Sequence, residues 1–182
     1  ANAGDGIPEP AAPATVVPGE AAARQRLEAF ATRVADYTEH RDRPDWDTTS
    51  RLSIDLKYGT LSPRTVVEAF PAPDAAPFVR QLAWRDFYAH VLDAYPHTAE
   101  RSLRPEYDKV AWRHDPGGLA AWQEGRTGYP IVDAGMRQLA TAGWMHNRVR
   151  MITASFLVKD LLIDWRRGER HFRRLLLDGD VS

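Results

Sequence analysis

Cysteine is absent, which removes any disulfide framework and any thiolate metal site. The absence suits a reducing compartment. No apolar run approaches the roughly 18 residues that a membrane span needs. The start, ANAGDGIPEPAAPATVVPGE, has no basic region ahead of an apolar one, so it does not read as a secretory signal. An excess of either charge is missing too: the net charge is −1, so nucleic acid would have to be met by a local basic face. There is no Gly-x-Ser-x-Gly, and the six histidines lack the His-Glu-x-x-His spacing, so neither a serine-hydrolase elbow nor a metal site is expected. No stretch alternates at period two and none repeats. The expectation is an all-α chain of about eight helices.

What is present is 182 residues, 43% hydrophobic, enough for one sizeable core or a domain with a tail. Residues 1–19 are Pro/Ala-rich without periodicity and read as a linker; residues 20–182 read as the helical domain. Glu20 to Tyr37 carries Leu27, Phe30, Ala31, Val34 and Tyr37 on one helical face. Gly59 suits a left-handed helix end, Ser62 a cap, and Pro63 the first helical position after it. Phe78 to Tyr95 predicts an amphipathic helix with Val79, Leu82, Ala83, Phe87, His90, Val91 and Ala94 on its apolar side. A further helix runs to the break at Gly143. Another is expected from Trp144 or Met145 to about Leu162, apolar over most of its circumference and so buried.

Four polar groupings stand out. Thr48, Thr49, Ser50 and Ser53 place four hydroxyls around Arg51 at a helix start. Taken alone they read first as an N-cap, and secondly as a phosphate site using free N–H groups and the helix dipole. Gln81, Trp84, Arg85 and Tyr88 form a stripe of the types that stack on and hydrogen-bond a base, although partial burial under a loop would also explain it. Trp144 to Arg150 packs Trp, His, Asn and two Arg into seven residues, which reads as the wall of a ligand cavity. Arg51, Arg85, Arg148 and Arg150 need anions if buried, either Asp178 and Asp180 or a cofactor phosphate. The six tryptophans suggest stacking or redox work besides packing. Arg166–Arg174 is strongly basic, a solvated face or a nucleic-acid contact. The residues alone give a helical domain with a polar, Arg-rich, Trp-lined cavity and no reaction.

Five motifs occur in a telling order: Thr49-Ser50-Arg51-Leu52-Ser53; Trp84-Arg85-Asp86-Phe87-Tyr88; Trp122-Gln123-Glu124-Gly125 with Thr127-Gly128-Tyr129-Pro130; Gly143-Trp144-Met145-His146-Asn147-Arg148; and Asp178-Gly179-Asp180. Together they resemble the FAD-binding helical domain of DNA photolyases and cryptochromes, nearest to bacterial class I cyclobutane pyrimidine dimer photolyases. The resemblance implies a multi-helical, all-α fold with FAD, active when reduced, as cofactor. It implies that Tyr37, Thr49, Ser50, Arg51, Leu52 and Ser53 hold the phosphates and ribityl chain. Arg85, Asp178, Gly179 and Asp180 would line the flavin, with Arg150 paired to an aspartate. Arg41, Trp84, Tyr88, Asn147, Arg148 and Met151 would face damaged DNA with its dimer flipped out of the stack. Trp112 and Trp165 would pass an electron to the flavin. The implied reaction is electron transfer from photoexcited reduced flavin to the dimer, ring splitting and return of the electron, with the protein positioning the cofactor.

The chain departs from the pattern in three ways. Gln81 stands where many dimer photolyases carry a Glu that supports the dimer radical anion, and Gln is usual in (6-4) photolyases. Those enzymes, however, carry His at the positions of Asn147 and Met151, so the dimer reading is kept, with Gln81 and Asn147 at the reacting end. Phe78 replaces a Trp of some relatives. Finally, the family has an N-terminal antenna domain, which would hold the antenna chromophore, and continues past Asp180 with an Asn near the flavin and another electron-chain Trp. The helical domain is therefore expected to be incomplete at its C-terminal side, and this chain alone to bind FAD weakly or not at all and to be inactive. The resemblance further implies a cytoplasmic bacterial monomer without a membrane partner. The rival is a blue-light-sensing cryptochrome. Plant-type members tend to carry Asp at the position of Asn147, so Asn147 favours repair.

Overall fold

The described residues of this computed structural model, 16–71 and 73–181, contain nine α-helical segments and no strand. The expected linker lies outside them except for residues 16–19. Among the described residues no helix is long and apolar enough to cross a membrane, and no group of His, Asp and Glu is placed to hold a metal. The chain divides into two compact units, Val17–Trp112 (with Asp180 onward) and Arg113–Gly179.

The first unit contains α1 (Glu20–Ala31), α2 (Tyr37–His40), α3 (Ser53–Tyr58), α4 (Pro63–Glu68) and α5 (Ala76–Ala94). Its core gathers Leu27, Phe30, Leu52, Val66, Phe70, Phe78 and Leu82. Phe30 is fully buried, with the Phe78 and Phe70 rings at 4.7 and 5.9 Å. The helix expected to reach Tyr37 stops at Ala31. A 3₁₀ turn, Val34–Asp36, then brings the Tyr37 ring edge-on to Phe30 and Phe78. Gly59 takes φ 72°, and Ser62 Oγ accepts the Thr65 N–H at 3.0 Å beside Pro63, as their residue types predict.

Two expectations fail in this unit. No side chain caps α3, because Leu52 occupies the cap position and is buried in the core; Ser50 Oγ instead accepts the Leu52 N–H at 3.4 Å. On α5 only Phe78 and Leu82 are buried, while Ala83, Phe87, His90 and Ala94 are exposed. An apolar stripe shows that a face can be buried, and the core reaches only the first turns of this one.

The second unit contains α6 (Pro116–Gln123), α7 (Pro130–Ala142), α8 (Asn147–Ser155) and α9 (Trp165–Leu175). Trp122, Met136, Leu139, Met145, Leu157 and Ile163 form its buried centre. Helices α7 and α8 cross at Gly135, where a Cβ would lie 2.4 Å from Val149 Cγ1, so any side chain would push the helices apart. Buried Asp133 binds the loop ahead of α7: its carboxylate accepts the Thr127 and Gly128 N–H groups at 2.7 and 2.9 Å.

The long helix expected from Trp144 or Met145 to Leu162 is shorter and interrupted. Residues 144–146 are irregular, α8 begins at Asn147, and Phe156–Asp160 widens into a π-helical turn. Leu162 then adopts φ 53°, unusual for a side-chain-bearing residue, and its carbonyl accepts the Arg113 N–H at 2.8 Å.

His171 on α9 lies against Trp122, with ring centroids 5.4 Å apart, and its Nε2 is buried without a hydrogen-bond partner. Burial, helped by nearby Arg174, lowers its pKa. A depressed imidazole contributes stability fully above its unfolded value, about 6.5, and loses it as the pH falls toward the folded value. The melting temperature should therefore fall as the pH drops below about 6.5, and His171→Phe should flatten that part of the profile. A thermal melt series in both proteins checks this; parallel profiles would refute it.

Candidate functional site

In the first unit the hydroxyl-rich segment runs between the ends of α2 and α3. The Thr48 and Thr49 Oγ1 atoms are buried and have no hydrogen-bond partner in the protein. Buried hydroxyls rarely stay unpaired, because desolvation costs about 1–3 kcal/mol each. Arg51 holds φ 55°, a left-handed backbone that a side-chain-bearing residue adopts only when its surroundings impose it. Its Nε donates to Asp47 Oδ1 at 2.9 Å. Ser53 opens α3 and is exposed. Thr48, which the run of hydroxyls includes but the family motif does not, belongs with Thr49.

Tyr37 is half-buried, with the Arg41 guanidinium 5.5 Å from its ring centroid. Burial raises its pKa, while Arg41 opposes the shift, so the ring carries a protonated phenol at neutral pH. Arg41 also lies 4.0 Å from Asp42.

On α5 the structure brings the expected stripe together. Trp84 and Tyr88 stack with centroids 6.0 Å apart and planes 29° from parallel, and Phe87 meets both edge-on. Trp84 is 49% exposed, Phe87 51% and Tyr88 53%, so three aromatic rings form an open plate. Gln81 is half-buried and donates its amide to Pro77 O at 3.2 Å. Arg85 reaches Leu56 O at 3.5 Å and Asp86 at 3.5 Å. Trp112 is half-buried outside any helix.

In the second unit α8 carries two groupings. Asn147 and Met151 are exposed, and Met151 Sδ receives Asn147 Nδ2 at 4.0 Å and Arg148 Nη1 at 3.9 Å, which joins the three expected lesion-facing residues. Arg150 turns inward: Nη2 donates to Asp178 Oδ2 at 2.8 Å and Nε to Met145 O at 2.7 Å. The aspartate expected for Arg150 is thus Asp178. The Gly179 N–H donates to Leu176 O, and exposed Asp180 accepts the Val181 N–H at 2.7 Å. Helix α8 is capped by buried His146, whose Nδ1 accepts the Arg148 N–H at 3.1 Å. Sequence reasoning placed His146 inside a helix and missed this role, since His is an uncommon cap. Trp165 is the first residue of α9, half-buried, with the Arg166 guanidinium 4.9 Å from its ring centroid.

Comparison with known proteins identifies the family. The family model described as the FAD binding domain of DNA photolyase matches residues 78–182, more than half of the chain. The chain belongs to this photolyase family. A deoxyribodipyrimidine photo-lyase of Alkalihalophilus pseudofirmus is 49% identical over 171 residues, covering 90% of this chain and 36% of that protein. Among solved structures, the bacterial class III photolyase from Agrobacterium tumefaciens superposes with a TM-score of 0.89 at 44% identity, over 92% of this chain and 36% of that one. The cryptochrome of Synechocystis sp. PCC6803 gives 0.82 at 34% identity, over 90% and 36%. The chain spans about a third of the length of these photolyase-family relatives, and its all-α architecture is that of their helical domain.

Proposed function

We propose that the chain is the helical part of a light-driven DNA repair enzyme, which holds FAD and presents a cyclobutane pyrimidine dimer flipped out of damaged DNA. Bound and reduced, FAD supplies the photoexcited electron that opens the cyclobutane ring. The residues present suit it: the unpaired Thr48 and Thr49 hydroxyls and Arg51 offer donors to its phosphates, and Asp178, held by Arg150, offers an acceptor for N–H or hydroxyl groups. Trp112 and Trp165 serve electron entry, and Arg41, Asn147, Arg148 and Met151 meet the lesion and its backbone. The enzyme works as a cytoplasmic monomer.

The observation that carries the reading is the open plate of Trp84 and Tyr88. Two stacked, half-exposed rings on one helix face cost hydration and gain nothing for the core. A base stacked on such a ring is worth about 1–3 kcal/mol. Trp84→Ala should therefore weaken binding of an oligonucleotide bearing one thymine dimer by roughly 10- to 100-fold. The melting temperature should stay unchanged, because the side chain supports no core contact. Anisotropy titrations against dimer-bearing and undamaged DNA check this. Equal losses on both, or none, would sink it. The likeness to a cryptochrome supports a second reading as a light sensor; the higher identity to photolyases and Asn147 favour repair.

A further inference from the structure

The segment proposed to cradle the flavin phosphates is anchored by an ion pair between residues far apart in the chain, Arg26 and Asp55. Asp55, in the first turn of α3, is 2% exposed. It takes two hydrogen bonds from Arg26 of α1, Nε to Oδ2 at 3.0 Å and Nη2 to Oδ1 at 2.7 Å, and Thr60 Oγ1 adds a third at 3.0 Å. The remaining Arg26 nitrogen, Nη1, donates to Val17 O at 2.9 Å. One guanidinium therefore ties the lead-in to α1, α1 itself and α3 together.

Asp55 lies just two residues beyond the hydroxyl segment. Its backbone also receives the Leu61 N–H at 3.4 Å, so the pair fixes both ends of this six-residue helix. Upstream, Leu52 is driven into the core, and between Leu52 and Asp47 lies the left-handed Arg51. Within the segment, Arg51 and Arg33 reach Asp47, and Ser50 Oγ accepts the Leu52 N–H. A strained backbone persists only when its flanks over-determine it. A fork-to-fork Arg–carboxylate contact fixes orientation as well as distance, which a hydrophobic contact does not.

We infer that Arg26 and Asp55 are positioning residues: their buried pair sets the position of α3, and through it aims the Thr48 and Thr49 hydroxyls and Arg51 at a diphosphate. The inference rests on the proposed reading of this segment as a phosphate site. Neither residue touches the ligand.

ADP is the probe, since it carries the diphosphate without the flavin. Its affinity is followed by NMR titration of the protein into the millimolar range, alongside thermal melts. Asp55→Asn keeps the shape and the Thr60 contact but removes the charge, and it should weaken ADP binding about tenfold or more, a loss equal to one well-made hydrogen bond to a charged group. Val66→Ala, in the same core and fully buried, should lower the melting temperature comparably while leaving ADP affinity intact. Arg26→Lys, which keeps the charge but not the fork, should fall between wild type and Asp55→Asn, and it carries the test if Asp55→Asn does not fold. Unchanged ADP affinity in the folded variants, or an equal loss in Val66→Ala, would overturn the clamp while leaving the phosphate site standing. No ADP binding by the wild-type protein would overturn the phosphate site itself, and the clamp with it.

Discussion

Trp122→Ala should destabilise the Arg113–Gly179 unit by about 4 kcal/mol, near the top of the range for emptying a core site. Trp122 is fully buried, its ring meets Phe172 and His171 at 5.4 Å, and its Nε1–H donates to Thr153 O at 2.9 Å. The contact sits at the back of α8. Thr153 is fully buried there and donates to Val149 O, and Gly135 brings α7 close on the adjoining side. The cavity would therefore open under the helix that presents Asn147, Arg148, Arg150 and Met151. Trp122→Phe separates the two contributions. It keeps most of the packing but loses the Nε1–H bond, and should cost only about 1–2 kcal/mol. Guanidinium unfolding of both variants measures this. A cost below about 2 kcal/mol for Trp122→Ala would mean that the site collapses readily and does not support α8.

Much of this arrangement is legible in the sequence because it is local. Ser62 with Pro63, and Gly59 and Gly143 at helix ends, act within one turn of chain, and the structure places each where its type predicts. The grouping of Asn147, Arg148 and Met151 is legible because the three lie within one helical turn of each other. The need of a buried Arg for an anion points to Asp178 or Asp180 for Arg150, but across 28 residues the sequence does not choose between them. The Arg26–Asp55 pair, 29 residues apart, carried no such signal and was missed. Periodicity also failed where the backbone left the α-helix without changing its apolar pattern. Phe156 and Leu157 are as apolar as any helical run, yet they lie in a π turn that ends at Asp160, shortly before the left-handed Leu162. Phe87 illustrates a different limit: an apolar residue on an apolar stripe is buried only if another element arrives to cover it.

The second large effect is expected at Asp178. Its carboxylate is 2% exposed and the Arg150 side chain 24%, so the pair is largely out of water. Removing one partner of such a pair costs about 3 kcal/mol, because the other charge stays behind without compensation. Asp178→Ala leaves Arg150 with the Met145 carbonyl alone, and should lower the midpoint of the second unit by roughly 12–24 °C. FAD affinity should fall with it if Asp178 also accepts hydrogen bonds from the flavin. These two losses separate in the double variant Arg150→Met, Asp178→Leu. Well-packed apolar replacements often restore or exceed the stability of a buried pair, so the melting temperature should recover. The flavin interaction should not, because leucine offers no acceptor. Recovery of stability with FAD affinity still lost would assign Asp178 a cofactor role. Recovery of both would make the pair purely structural.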